Sequence, residues 1–372
     1  MKWLFWLSVA LIAYPYAGYP LWAYFRSRWW PSPWVQEEIL PTVSVVLAVH
    51  DEGERIAPRL QNLHELDYPP ERLEIITVSD GSRDATNTIL SQYRGDRLHV
   101  IQFPEHRGKA AALNAGIREA GGEIVVFTDA RQRLEPSSVR ALVDNFADPS
   151  VGCVTGELVL YKEHQPAVQT GVSLYWRYEK WIRKCEGSTD STMGATGALY
   201  AARRELLVTL PEGTILDDVY LPLQVVRQGY RCVFDARARA WEPMPVSYAE
   251  EFRRKVRTLT GNYQLLRIAP WLLTRANRAR FEFVSHKLMR LLVPLALVGA
   301  FLASLFLTGT FYRLAFLAQV LFYGLGAVAI GRPRLQPGGR LAGVALTFLL
   351  LNAAASVALM NFVTGKKEVW TR

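Results

Sequence analysis

Four stretches of this chain lack charge, and that absence constrains its fold more than any motif does. No charged residue lies between Trp3 and Phe25, and three further apolar blocks follow: Leu291 to Leu307, Leu314 to Ile330 and Leu341 to Val363. Each approaches the ~20 residues that a helix needs to cross a bilayer. All four are therefore expected as transmembrane helices, one N-terminal and about three C-terminal, with a soluble region between them. For the first block the rival is a cleaved secretory signal led by Lys2. Its length, its Trp and Tyr content and the lack of a small-residue cleavage pattern before Arg26-Ser27-Arg28 favour a retained helix.

The aromatic residues of that block, with Trp29-Trp30, suit an interfacial belt, and the arginines put this end on the cytoplasmic side. The intervening region is then cytoplasmic and the protein a multi-pass resident of the cell (inner) membrane. The loop Arg332 to Arg340 agrees with this orientation if the later helices alternate. The tail, with Lys366 and Lys367, does not: either the rule fails there, or one block, Leu314 to Ile330 by preference, is re-entrant or lies along the surface. The division expected is residues 1–28 as the first helix, 29–270 as the cytoplasmic domain, and 271–372 as an interfacial segment with about three helices.

The formal net charge is +9, with basic clusters at Arg253 to Arg257 and Arg275 to Arg280. These fit contact with anionic lipid headgroups; no nucleic-acid recognition motif accompanies them. The three cysteines, Cys153, Cys185 and Cys232, are scattered and odd in number, which suggests a reduced compartment without a disulfide or metal framework.

From Pro41 strand and helix patterns alternate: TVSVVLAV, a helix around Arg55 to Leu66, LEIITV, DATNTILSQYR, LHVIQF, a helix from Lys109 to Glu119, and EIVVFT. Repeated βα units predict an α/β fold with a mainly parallel sheet covered on both faces. Asp51-Glu52, Asp80 and Asp129 then each close one strand at its carboxyl edge. A single aspartate there is most economically a helix cap; three along one edge make a ligand crevice the better reading. Residues 150 to 250 break the rhythm and read as an appended half with mixed strands, including the amphipathic aromatic stretch Leu174 to Arg183.

Six segments, in order over residues 41 to about 265, resemble the family 2 glycosyltransferases, GT-A fold enzymes that include hyaluronan, chitin and cellulose synthases. They are VVLAVHDEGERI, VSDGSRDAT, RGKAAALNAGI, FTDAR at the place of the Asp-x-Asp motif, GATGALYAARR, and LDDVYLPLQVVRQGYR at the place of the Glu-Asp motif. The resemblance implies inverting transfer from a nucleotide diphospho-sugar, most often a UDP-sugar, to a saccharide or lipid-linked acceptor. Ala48, His50, Glu52 and Asp80 are expected around the base and ribose. Lys109 would supply a point charge near the nucleotide.

A diphosphate leaving group gathers negative charge as the sugar bond breaks, so a hard cation held by oxygen, Mg²⁺ or Mn²⁺, is the economical stabiliser, with Asp129 as its ligand. The family's second aspartate is replaced by Arg131, which cannot ligate a cation. Either Asp129 holds the metal with diphosphate oxygens and water, or Arg131 contacts the diphosphate directly, or the site is degenerate; the first reading is preferred, with the second contributing. Alignment on Gly229-Tyr230 makes Asp218 the general base and Asp217 its partner, and repulsion between adjacent carboxylates would raise one pKa. The family's Gln-x-x-Arg-Trp becomes Arg254-x-x-Arg257-Thr258, which keeps the arginine and drops the tryptophan platform. Synthesis of an exopolysaccharide or cell-surface glycan is the principal expectation. Its rivals are single transfer to a lipid or polyprenyl-linked acceptor and an inactive membrane scaffold, and a dimer or partner subunit is compatible with so few helices.

Overall fold

The structure is a computed structural model that describes residues 1–93, 97–161, 169–244, 247–331 and 339–365. One mixed eight-stranded sheet forms its centre: β1 (Val43–Val49), β2 (Leu73–Asp80), β3 (Leu98–Phe103), β4 (Ile124–Thr128), β5 (Arg133–Leu134), β6 (Val151–Tyr161), β7 (Tyr200–Arg203) and β8 (Arg231–Pro243). Their spatial order is β3-β2-β1-β4-β7-β6-β8-β5. The first four run parallel, and β7 pairs antiparallel with both β4 and β6. The sequence reading placed residues 150 to 250 in an appended half; these strands instead continue the same sheet.

The strand order reverses between β1 and β4, and crevices of open α/β sheets form at such a switch point. Strand β1 is buried along nearly its whole length, as its unbroken apolar run requires when both faces are covered. One face carries the helix Lys109–Glu119, whose Leu113 and Gly116 approach Val46 and Val78; the other carries Ile56–His64 through Ile56, Leu60 and Leu63. Burial of each such leucine or isoleucine contributes about 1.5–3 kcal/mol, so the strand ends are held on a stiff platform.

Four helices are long and apolar enough to cross a membrane: Lys2–Trp29, Arg280–Phe306, Thr310–Ala329 and Leu341–Thr364. They coincide with the four blocks of the sequence. Thr310–Ala329 is the most exposed, with 6% of its apolar window buried against the rest of the protein. Its neighbours pack more deeply, through contacts of the first span with the second and of the fourth with the domain helix Tyr248–Ile268. The first and second spans each carry one π-helical turn, Tyr14–Gly18 and Val284–Leu288, and these turns meet where the Tyr14 hydroxyl and Ser285 Oγ lie 2.8 Å apart. The charged loop beginning at Arg332 and the tail lysines Lys366 and Lys367 fall outside the described residues.

Candidate active site

Two groups of side chains stand at the carboxyl edge, one at the end of β2 and one beyond β4. They lie two strand spacings apart, roughly 10 Å.

At the end of β2, Asp80 is 2% exposed. Its Oδ1 accepts from the backbone N–H of Arg107 at 2.7 Å and its Oδ2 from that of Gly108 at 2.8 Å. Those N–H groups lead into the helix Lys109–Glu119, so Asp80 holds the loop through which the chain enters that helix. His50 Nδ1 lies 2.7 Å from the Asp80 carbonyl oxygen, and its ring packs on that of His106 with centroids 4.2 Å apart. His106 Nδ1 also lies 2.9 Å from Asp80 Oδ2. Ala48 is half-buried on β1 opposite Val78, and Glu52 is engaged by Arg55 at 2.8 Å. His106 escaped the sequence reading because only the chain's return from β3 carries it beside His50.

Gly81 explains the glycine after Asp80. Its φ is +64°, and a Cβ added there would lie 2.3 Å from the His106 nitrogen and 2.4 Å from the Glu105 carbonyl carbon. Gly81→Ala therefore combines a left-handed backbone with a collision against main chain. It is expected to cost about 2–3 kcal/mol, read as a lowered unfolding temperature in detergent, and to weaken nucleotide binding by displacing the loop 105–108.

Beyond β4 the acids converge on a lysine. Lys109 Nζ lies 2.9 Å from Asp129 Oδ1 and 3.2 Å from Asp217 Oδ1. Burial works against the Lys109 ammonium, but Asp129 and Asp217 outweigh it and its pKa rises. Burial likewise opposes ionisation of Asp129, yet Lys109, Arg131 and Arg257 together leave its pKa below the ordinary value. Lys109, expected beside the nucleotide, pairs with the two carboxylates here. Arg131 and Arg257 are exposed and stand close enough to act on Asp129 through space.

Asp217 and Asp218 open the helix Asp217–Arg227, where the helix dipole favours acids. Asp218 Oδ2 accepts from the Gly197 N–H at 3.0 Å. A Cβ on Gly197 would come within 3.2 Å of that oxygen and 3.7 Å of Asp129 Oδ2, so Gly197 lies between the two acids and lets them approach. Burial first, and then the charge of Asp217, push the Asp218 pKa up to about 6. Repulsion alone was the sequence argument; burial is the larger cause. Two buried groups beneath the acids carried no sequence signal. Tyr200, stacked on Phe127 at 4.6 Å, has a hydroxyl with no hydrogen-bond partner among the described residues. Arg59 donates to Thr128 Oγ1 at 2.6 Å, directly before Asp129, and burial pulls its pKa down to about 10 against the pull of Asp129.

Arg254 lies apart from these groups. It sits 3.6 Å from Glu242 and 2.6 Å from Glu251, with its guanidinium 5.4 Å above the Trp176 ring. Among the described residues no group of three His, Cys, Asp or Glu side chains is arranged to hold a metal. The donor set around Asp129 therefore fits a cation only if other oxygens complete the shell.

A family profile described as glycosyl transferase family 2 matches residues 44–207. The chain is similar to the probable glycosyltransferase YdaM of Bacillus subtilis, with 29% identity over 234 residues that cover 60% of this chain and 56% of the relative. It is also similar to the poly-beta-1,6-N-acetyl-D-glucosamine synthase of Staphylococcus aureus, 24% identical over 239 residues covering 63% and 58%. The similarity thus spans somewhat over half the length of these curated relatives. Among solved structures, the mannosyltransferase PcManGT from Pyrobaculum calidifontis, in complex with GDP-Man and Mn²⁺, superposes with a TM-score of 0.73 at 25% identity, covering 98% of this chain and 100% of that one.

Proposed function

We propose that this chain, whose residues 44–207 form a glycosyltransferase family 2 domain of GT-A fold, moves a sugar from a nucleotide diphospho-sugar to an acceptor held at the membrane, with inversion at the anomeric carbon. The observation that carries this reading is Asp218: a half-buried carboxylate with its pKa raised to about 6, oriented by the Gly197 N–H and set beside Asp129. The acceptor hydroxyl attacks the anomeric carbon from the face opposite the diphosphate, and the carbon–oxygen bond to the diphosphate breaks. The hydroxyl proton passes to Asp218, and the nucleoside diphosphate departs.

In this reading His50 and Glu52, with Ala48 and the loop that Asp80 holds, frame the nucleoside, and Asp129 faces the diphosphate. A divalent cation bound by Asp129 and diphosphate oxygens would neutralise charge on the leaving group. The Mn²⁺ in the mannosyltransferase complex supports this. Arg131 and Arg257 add positive charge on the same side, and Lys109 favours the ionised form of Asp129 while it pairs with Asp217. The domain faces the cytoplasm, as Arg26 and Arg28 after the first span suggest.

The donor base divides the supports. The sequence resemblance suggests a UDP-sugar, whereas the solved structure similar over nearly the full length holds GDP-Man. Incubating the full-length protein in detergent with separate UDP- and GDP-sugars is expected to release one nucleoside diphosphate at least tenfold above the rate with the others. Release with none of them, in the presence of membranes from the source organism as acceptor, would defeat the transferase reading in favour of a scaffold. Similarity to the poly-beta-1,6-N-acetyl-D-glucosamine synthase favours a second reading, chain extension. A ladder of products supports extension, and one added sugar supports single transfer.

A further inference from the structure

Asp218 has a second side. It also lines a cavity of about 210 Å³ whose walls come from the domain and the apolar helices. Three of the four spans build the wall: Tyr16 comes from the first, His286, Lys287 and Arg290 from the second, and Leu351 and Asn352 from the fourth. The residues assigned to the donor, Asp129, Lys109, His50 and Asp80, take no part in it.

The wall carries more cations than acids, even with the buried Glu186 held against His286 at 2.7 Å. Arg183, Arg254, Lys255, Lys287 and Arg290 line it, against the two carboxylates of Glu179 and Asp218. Glu179 is already engaged, by Arg290 and by His286 Nε2 at 3.2 Å. Behind the wall the buried Glu251 is shared between Arg254 and Lys255 at 2.6 and 3.7 Å. Arg183 and Lys287 form no ion pair with any described residue. The Nε and Nη2 atoms of Arg290 are buried without a hydrogen-bond partner among the described residues. Desolvated donors of this kind cost free energy until an acceptor meets them. The hydroxyls of a neutral sugar chain would satisfy such donors but leave the charges of Arg183 and Lys287 without a counter-ion, whereas phosphate oxygens supply both and match the planar forks of Arg183, Arg254 and Arg290.

We propose that this cavity binds the phosphate or diphosphate group of a long-chain lipid that enters from the bilayer between the spans and presents a hydroxyl of the sugar carried on that group to Asp218. The inference deepens the transferase reading and rests on it for the role of the lipid, but the binding site itself needs no turnover. The spans supply the aliphatic flank, the cations fix the headgroup at the level where the bilayer ends, and the donor waits on the far side of Asp218. A phosphate anchor also limits the enzyme to one addition per lipid, since a lengthening glycan would carry its growing end away from the cations.

The test is direct binding of radiolabelled polyprenyl phosphate to the full-length protein in phosphatidylcholine nanodiscs. Saturable binding is expected, weakened at least tenfold by Lys255→Gln and by Arg183→Gln. Arg253→Gln, which removes an exposed charge from the same helix as Lys255, is expected to bind as the wild type does. Polyprenol lacking the phosphate should bind at least tenfold more weakly, and inorganic phosphate should displace the lipid only at concentrations at least a hundredfold higher. Equal binding of polyprenol, full binding by both cavity variants, or displacement by phosphatidylglycerol at equal mole fraction would overturn the proposal, and tight binding of inorganic phosphate alone would overturn its lipid part. Because the readout is binding, a protein that holds the lipid phosphate but releases no nucleotide would defeat the transferase reading and leave this site intact. One that turns over without holding the lipid would do the reverse.

Discussion

Asp218→Asn is expected to lower the transfer rate by about 10³-fold, within the range of about 10²–10⁴ that a positioned general base contributes, while nucleotide affinity changes by less than about twofold. The asparagine keeps the shape and can still accept from the Gly197 N–H, so what disappears is the capacity to take a proton. The wild-type kcat/KM should rise with pH and level off above about 6, because the base must be ionised to work and burial and Asp217 hold its pKa there. The variant should lack that limb. Stability moves the other way. The folded pKa lies above the ordinary carboxylate value near ~4, so the folded state binds this proton more tightly than the unfolded chain does. Ionised Asp218 therefore costs stability above about pH 6, and the cost fades as pH falls towards ~4. At pH 8 the variant should melt no lower than the wild type. A variant that melts much lower and loses activity in proportion would mark Asp218 as structural; retained turnover with intact folding would remove the assignment altogether.

Much of the scaffold behind that result was legible in the sequence because its signals are local. The apolar runs ending at Asp80 and before Asp129, and the helix from Lys109 to Glu119, stand where periodicity put them. The four uncharged blocks became four helices for the same reason. What the sequence did not announce depends on contacts between distant parts of the chain. Asp80, expected to accept from the base or ribose, also accepts from the N–H groups of Arg107 and Gly108, a partnership across 27 and 28 residues that no local pattern announces. Lys109, expected as a point charge near the nucleotide, also pairs with Asp129 and with Asp217, more than a hundred residues away in the chain. Strands β5 to β8 joined the main sheet because β7 pairs against β4, an antiparallel contact that breaks the βα rhythm and so hides from it. The cationic cavity was the least visible feature, since its walls are gathered from three spans and two long helices. Arg254 was legible in the sequence as part of a basic cluster and of an imperfect motif, and the structure gives it Glu242, Glu251 and Trp176 as neighbours.

Chelation is expected to remove at least about a hundredfold of the transfer activity, with Mn²⁺ or Mg²⁺ restoring it, whereas Arg131→Gln should cost only about tenfold. The difference follows from where the charges sit. Asp129 is half-buried and has Lys109 2.9 Å from Oδ1, so its other oxygen is the one left to meet a cation. Arg131 is exposed and has freedom to move away from a diphosphate as readily as towards it. No three-ligand cluster surrounds Asp129 among the described residues, so the free protein should bind Mn²⁺ weakly, and calorimetric titration should detect tight binding only once the nucleotide diphosphate is present. Activity untouched by chelation would transfer the leaving-group role to Arg131 and Arg257, and Arg131→Gln should then show the larger loss. Tight Mn²⁺ binding without nucleotide would contradict the shared-ligand arrangement from the other direction, because one carboxylate held by a lysine cannot by itself supply the coordination that such binding demands.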